Sequence, residues 1–333
     1  MDRKGDMMQI QRVPALVLCV MLLLAVLGCG GAPAERVGSY EVTDAQGHVV
    51  TFEKKPVRVL NYALWLDDVV LGLVPSERLV GIDHLADDPN SSNIVGIAEQ
   101  IPVKLNQPSA EQVMALRPDV VFLDAGRDAA VAESLRDLGI RVVACEKPRS
   151  ADEVRAAVRL VAAALGEEEK GGALIAAYDA ACQTLADRVA AIPPAERKTV
   201  LVISMSPTFG NRGGLFDHLC TMAGVVNGAA EIGLEEGQSL TKEHILAVNP
   251  DVLIVPVWND HGSYDIDKFN REYLDDPALQ TVQAIRTQQI VRPHEGYIYN
   301  ASQDMVFGAQ DIAHLAYGNL IEQPVGRHLT VAE

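Results

Sequence analysis

Basic charge and cysteine are both scarce in this sequence. Its 28 Lys and Arg stand against 45 Asp and Glu, a formal charge of −17. A surface so acidic repels phosphate, which excludes nucleic acid as a partner. Of five cysteines, Cys19 and Cys29 lie near the N-terminus. Cys145, Cys182 and Cys220 remain, an odd number without CxxC spacing. Neither a zinc knuckle nor a disulfide framework fits that count, and small apolar core residues do. Aromatic residues make up 5% of the chain, with two tryptophans. No G-x-S-x-G elbow or HExxH helix is present, so an extracytoplasmic α/β enzyme has no motif behind it. The glycine-rich FGNRGG at 209–214 lacks the Lys-Ser/Thr of a P-loop, which argues against nucleotide.

The apolar run Val13–Leu27 is 15 residues long, short for a membrane span. Arg3, Lys4 and Arg12 precede it, and Val26-Leu27-Gly28-Cys29 follows, so residues 1–28 read as an export signal. Residues 29–39, with Gly30, Gly31 and Pro33, read as a flexible tether.

What is present in quantity is apolar residues, 48% of the chain, enough for sizeable cores and two domains of ordinary size. Residues 40–52 read as a hairpin around the turn Asp44-Ala45-Gln46-Gly47. From Pro56 to Leu165 strands and helices alternate, which predicts an α/β lobe (residues 40–166) with a mainly parallel sheet. The pattern restarts at Thr199 and predicts a second such lobe (residues 193–333), closed by a long helix over 301–320. Between them, Leu174, Tyr178, Ala181, Leu185, Val189 and Ile192 recur at steps of three and four. That spacing predicts one continuous helix over 167–192, stopped by Pro193 and Pro194. The expected fold is two Rossmann-like α/β lobes joined by one long rigid α-helix.

An internal repeat supports the two-lobe reading. SAEQVMALRPDVVFL at 109–123 aligns without a gap with TKEHILAVNPDVLIV at 241–255, 132 residues on. Each copy reads as a capped helix, a proline break and a buried strand.

The tetrapeptide at 26–29, the opening VTDAQGHVVTFEKKPVRVL, the paired E-x-x-x-A-x-x-P-D segments and the helix between the lobes together resemble the substrate-binding lipoproteins of iron-siderophore, haem and cobalamin ABC importers. The resemblance covers roughly residues 40–325. It implies a lipidated Cys29, a lipid-anchored extracytoplasmic monomer, ligand capture between the lobes, and delivery to an ABC permease dimer and its ATPase. It also implies that Glu111 and Glu243, the repeated glutamates, dock onto arginines of the permease. Both fall in the first turn of a helix, where the dipole alone also favours a carboxylate.

In parallel sheets ligands bind beyond the C-terminal strand ends. Those ends bring forward Asn61, Tyr62, Trp65, Asp83, His84, Asp124 and Arg127 in the first lobe. In the second they bring forward Phe209, Asn211, Arg212, Trp258, Asn259, His261, Tyr297 and Tyr299. Tyr62, Trp65, His84, Arg212, Trp258, Tyr297 and Tyr299 are the candidate ligand-binding set. Such aromatics suit a bulky planar or chelate ligand, an iron complex or a corrinoid, although each also fits lobe packing. Arg212 suits a carboxylate or catecholate; His84, Tyr62 or Tyr297 suits iron or cobalt as a ligand. The alternative is a zinc or manganese receptor using His84, His261 and His294. No resident cofactor is expected.

Overall fold

A computed structural model describes residues 38–333. The expected export signal, Cys29 and all but the end of the expected tether lie outside the described residues.

Strands β1 (Tyr40–Thr43) and β2 (Val49–Phe52) form the expected antiparallel hairpin. Asp44 pins its turn: the carboxylate accepts from the backbone N–H groups of Gln46, His48 and Ala144, and pairs with Arg136 at 2.7 Å. The first lobe then runs β3 (Val59–Asn61), α1 (Leu64–Leu73), β4 (Leu79–Asp83), α2 (Val95–Ala98), β5 (Lys104–Leu105), α3 (Ala110–Ala115), β6 (Val120–Asp124), α4 (Ala129–Asp137), β7 (Val142–Cys145) and α5 (Ala151–Leu165). Its five strands are parallel, in the order β5-β4-β3-β6-β7. Val120, Val121, Phe122 and Leu123 are all buried, as a strand covered on both faces requires.

After α6 (Glu168–Val189) the second lobe runs β8 (Thr199–Val202), α7 (Leu215–Ala223), β9 (Val226–Asn227), α8 (Gly228–Glu231), α9 (Lys242–Val248), β10 (Val252–Ile254), α10 (Ile266–Leu274), α11 (Gln283–Arg286), β11 (Ile290–Val291), α12 (Glu295–Ile298) and α13 (Met305–Tyr317). Its strand order is β11-β10-β8-β9, again parallel. Read from the other edge, β9-β8-β10-β11 repeats the β4-β3-β6-β7 order of the first lobe. The final helix is shorter than expected, because Ala301–Asp304 form a turn before it and Gly318 ends it.

The sequence repeat has a physical cause. Ser109 and Thr241 cap their helices with the same reciprocal box, completed by Gln112 and His244. Arg117 and Asn249 both turn the chain left-handed, φ 47° in each, just before the proline. The aspartate after that proline then ties the neighbouring strand. Asp119 accepts from the N–H groups of Val57 and Arg58, and Asp251 from that of Thr199.

The connecting helix α6 is 22 residues long, about 33 Å at ~1.5 Å per residue. It packs against α5 and α1 on one side and against α7 and α13 on the other. Leu174, Tyr178, Leu185 and Val189 are its buried stripe. Gly171 is needed for the closeness of α5: a Cβ there would stand 2.5 Å from the Ala162 Cβ. One continuous apolar core runs from Val42 in the hairpin to Ile321 beyond α13.

A buried polar cluster joins the lobes. The Ser302 hydroxyl donates to Asp68 Oδ2 at 3.0 Å, and Gln303 donates to the Asp68 carbonyl at 2.8 Å. Asp304 accepts from Asn93 at 2.7 Å and from the Leu329 N–H at 2.8 Å, and meets His328 Nδ1 at 2.6 Å. The C-terminal segment continues over α1, where Val331 N–H donates to the Gly72 carbonyl. Any side chain at Gly72 would collide, since a Cβ would lie 2.8 Å from Gln303 Nε2. Burial, then the neighbouring Asp304 charge, push the Asp68 carboxyl well above its ordinary range. Burial alone would depress His328, but the charge and hydrogen bond of Asp304 overcome it and raise the imidazole to about 9.

A group raised on folding contributes stability that is fully present below its unfolded value, near 6.5, and lost as pH rises through about 9. The stability difference between wild type and His328→Gln, read by urea denaturation, should therefore shrink by about 3 kcal/mol between pH 6.5 and pH 9.5.

Candidate functional site

The two similar strand orders each reverse direction next to their first strand, and that is where a crevice opens in such sheets. A cavity of about 420 Å³ lies there. The second lobe supplies most of its wall. Ser204, Met205 and Ser206 follow β8, and Pro256 and Trp258 follow β10. Glu295, Tyr299 and Asn300 come from α12 and the turn after it. The first lobe adds Leu64, Leu85 and Ser91.

The lining is mostly apolar and contains one acid and no base. Burial raises the Glu295 carboxyl to about 6, although it accepts the Val257 N–H at 2.6 Å. Tyr299 stacks on Phe209 with ring centroids 4.2 Å apart. Its phenol is pushed up by burial, an effect that Ser204 opposes. Trp258 leans on Tyr264 at 5.8 Å.

The expected site residues therefore divide. Trp258 and Tyr299 line the cavity. Tyr62, Trp65 and Tyr297 do not; each is at most 3% exposed and packs in the core. Trp65 Nε1 donates to Asp124 Oδ2 at 3.1 Å, because α1 turns that ring toward the sheet. The Tyr297 hydroxyl donates to the Arg327 carbonyl and accepts the Arg327 N–H, which commits its proton and a lone pair to the C-terminal segment. Burial raises both Tyr62 and Tyr297, the latter to about 12, so neither supplies a phenolate readily.

Arg212 borders a smaller chamber of about 200 Å³ that shares Ser206 with the main cavity. Its guanidinium is already paired with Glu235 and the Ala230 carbonyl. His84 stands at the rim, 3.2 Å from Asp83 and 3.6 Å from Asp260. His261 is its neighbour across the cleft, but His294 packs on Tyr297 instead. Among the described residues no group of three or more His, Cys, Asp or Glu is placed to hold a metal ion, so the zinc or manganese alternative finds no ligand set.

Sequence reasoning missed Ser204, Met205, Ser206 and Pro256, though the strand-end rule points at them: they follow β8 and β10 directly. Leu64 and Leu85 follow β3 and β4 as closely and were missed as well; Glu295, Asn300 and Ser91 carried no comparable signal. Glu111 and Glu243 are exposed at equivalent places on the two lobes. Ser109 lowers the first carboxyl; the second is lowered by its own backbone N–H and by Thr241.

Two similar lobes, a stiff helix between them and one apolar cleft define a bilobal solute receptor. The chain belongs to the periplasmic binding protein family, whose model matches residues 60–295. It is a substrate-binding protein of an ABC importer, which implies a permease and an ATPase as partners, and not an enzyme. Among its relatives is the uncharacterized ABC transporter substrate-binding lipoprotein YvrC of Bacillus subtilis (strain 168), 24% identical over 293 residues, spanning 80% of this chain and 90% of the relative. The Fe(3+)-citrate-binding protein YfmC of the same organism is 24% identical over 307 residues, spanning 86% and 89%. The fold matches the periplasmic heme-binding protein RhuT from Roseiflexus sp. RS-1 with a TM-score of 0.66 at 24% identity, covering 79% of this chain and 98% of that one.

Because the Tyr297 hydroxyl holds the C-terminal segment and not a ligand, Tyr297→Phe should lower stability in urea denaturation by about 1–3 kcal/mol. Ligand affinity should stay at the wild-type level.

Proposed function

We propose that the protein captures a bulky metal chelate of little negative charge, a haem or a corrinoid in type, and delivers it to its permease. The carrying observation is the cavity wall: Leu64, Leu85, Met205, Pro256, Trp258 and Tyr299 supply apolar area, with one carboxyl and no Lys or Arg. A multiply charged anion such as ferric citrate would lose its hydration there without gaining a cation. A largely apolar macrocycle gains aromatic and aliphatic contact instead. Met205 is exposed beside the cavity, and its thioether suits an axial position on haem iron. The heme-binding name of RhuT agrees with this reading; the Fe(3+)-citrate name of YfmC is the competing one.

Titration with haem, cobinamide, ferric citrate and molybdate, followed by visible absorption and tryptophan quenching, tests the reading. Haem or cobinamide should bind at micromolar concentration or tighter, and Trp258→Ala should weaken that binding at least tenfold, about 1.4 kcal/mol. Tight binding of ferric citrate with no response to either macrocycle would reject it.

The same reading places the receptor outside the cytoplasm as a monomer on a lipid carried by Cys29, in line with the lipoprotein name of YvrC. Glu111 and Glu243 then act as the permease contacts, one exposed carboxylate on each lobe. A Glu111→Ala, Glu243→Ala double variant should lose uptake in cells while the purified protein keeps its ligand affinity. Normal uptake by that variant would exclude the docking role.

A further inference from the structure

Two loops meet across the rim of the cavity and pair crosswise. From the second lobe, His261 Nε2 lies 3.0 Å from Asp87 Oδ1, and the His261 N–H donates to Asp88 Oδ2 at 2.9 Å. From the first lobe, His84 Nε2 reaches toward Asp260 Oδ1 at 3.6 Å. Asn90 adds a hydrogen bond to Asn259 at 3.3 Å. Each lobe thus offers a histidine to an acid of the other, and the two imidazoles stand 6.4 Å apart.

The second loop is held in a conformation it would not choose alone. Asp260, His261 and Gly262 follow one another in the left-handed region, with φ of 46°, 54° and 83°. Two of the three carry a Cβ, which disfavours that region. The bonds to Asp87 and Asp88 offset the strain only while the lobes are together. Trp258 sits at the base of this loop and Leu85 at the base of its counterpart, and both line the cavity.

We propose that residues 84–90 and 257–264 form a proton-dependent clasp over the cavity, in which His84 and His261 pair crosswise with Asp260 and Asp87 and thereby position Trp258. The groups facing the two rings are Asp83, Asp87, Asp88 and Asp260, with Lys104 on the far side of Asp87 at 3.3 Å. Their balance is acidic, so protonated imidazoles strengthen the clasp. The Asp83 carboxylate, 3.2 Å away, raises His84, and the Asp87 hydrogen bond raises His261. Burial opposes Asp87 ionisation, but His261 and Lys104 hold its carboxyl below the ordinary range. The clasp is therefore tight at pH values below the free-histidine range, near 6.5, and loosens as pH rises through the raised values.

The test needs no ligand. Trp65 is buried and Trp258 is not, so acrylamide quenching of the unliganded protein reads mainly Trp258. Between pH 6.5 and 9.5 wild-type quenching should rise; Glu295, which titrates near 6, is unchanged in the variants below, so its share of the change is controlled for. A His84→Gln, His261→Gln double variant, and separately an Asp87→Asn, Asp260→Asn double variant, should give the high-pH level of quenching throughout. His328 is unchanged in both variants, so its titration is controlled for. A flat wild-type profile, or the wild-type rise retained in both variants, overturns the clasp. Neither result depends on which chelate fills the cavity.

Discussion

A carboxylate placed in the interior has to be neutralised or hydrogen-bonded, and Asp304 is the residue on which that requirement falls hardest here. It sits at the start of α13, fully buried, and its partners come from distant parts of the chain: Asn93 in the first lobe, and His328 and Leu329 near the C-terminus. Meeting that need pulls the end of the chain across the junction and onto α1. Ser302 and Gln303, next to Asp304, reach Asp68 in the same cluster. The lobes are therefore held by polar bonds as well as by the helix between them. Breaking such a pair by removing one partner costs several kcal/mol, whereas an intact pair contributes more to geometry than to net stability.

With the spacing of the lobes settled in this way, the position of the cavity follows from topology. Each sheet repeats the same strand order, and each opens its crevice beside its first strand. The two crevices do not contribute alike. In the first lobe the residues after the strands are occupied with one another: Trp65 with Asp124, Arg127 with Asp128 and the Tyr62 carbonyl. In the second lobe the residues after β8, Ser204, Met205 and Ser206, are small or flexible and leave space, and Pro256 and Trp258 after β10 wall it. The first lobe forms a preformed wall, and the second provides most of the recognition surface.

Much of the fold is legible in the order of residues along the chain. The capping residues Ser109 and Thr241, the prolines at 118 and 250 and the aspartates after them predict a repeated helix–strand unit. The structure adds that those aspartates tie neighbouring strands. The stripe from Leu174 to Val189 predicts the connecting helix to within a few residues. Helix α10 carries a stripe of the same kind: Ile266, Phe269 and Tyr273 recur at steps of three and four, and Phe269, Tyr273 and Leu274 pack against the second lobe's core. The site is less legible. Trp65 and Tyr297 are aromatic residues near strand ends, as Trp258 and Tyr299 are, and nothing local separates the pairs. Which way each ring points depends on the face of the helix or turn that carries it, and on whether another segment has already taken its polar atom.

The order of helices and strands, the doubled lobe and the helix between them were determined by the sequence alone, because each rests on forces acting within a few residues: caps, proline breaks and apolar spacing. The cavity lining and the course of the C-terminal segment were decided only by the tertiary structure. The Thr330 hydroxyl bonds the Leu71 carbonyl across 259 positions of chain. A contact over that distance exists only once both sheets, the helix between them and the buried charges have been packed, and no local pattern encodes it.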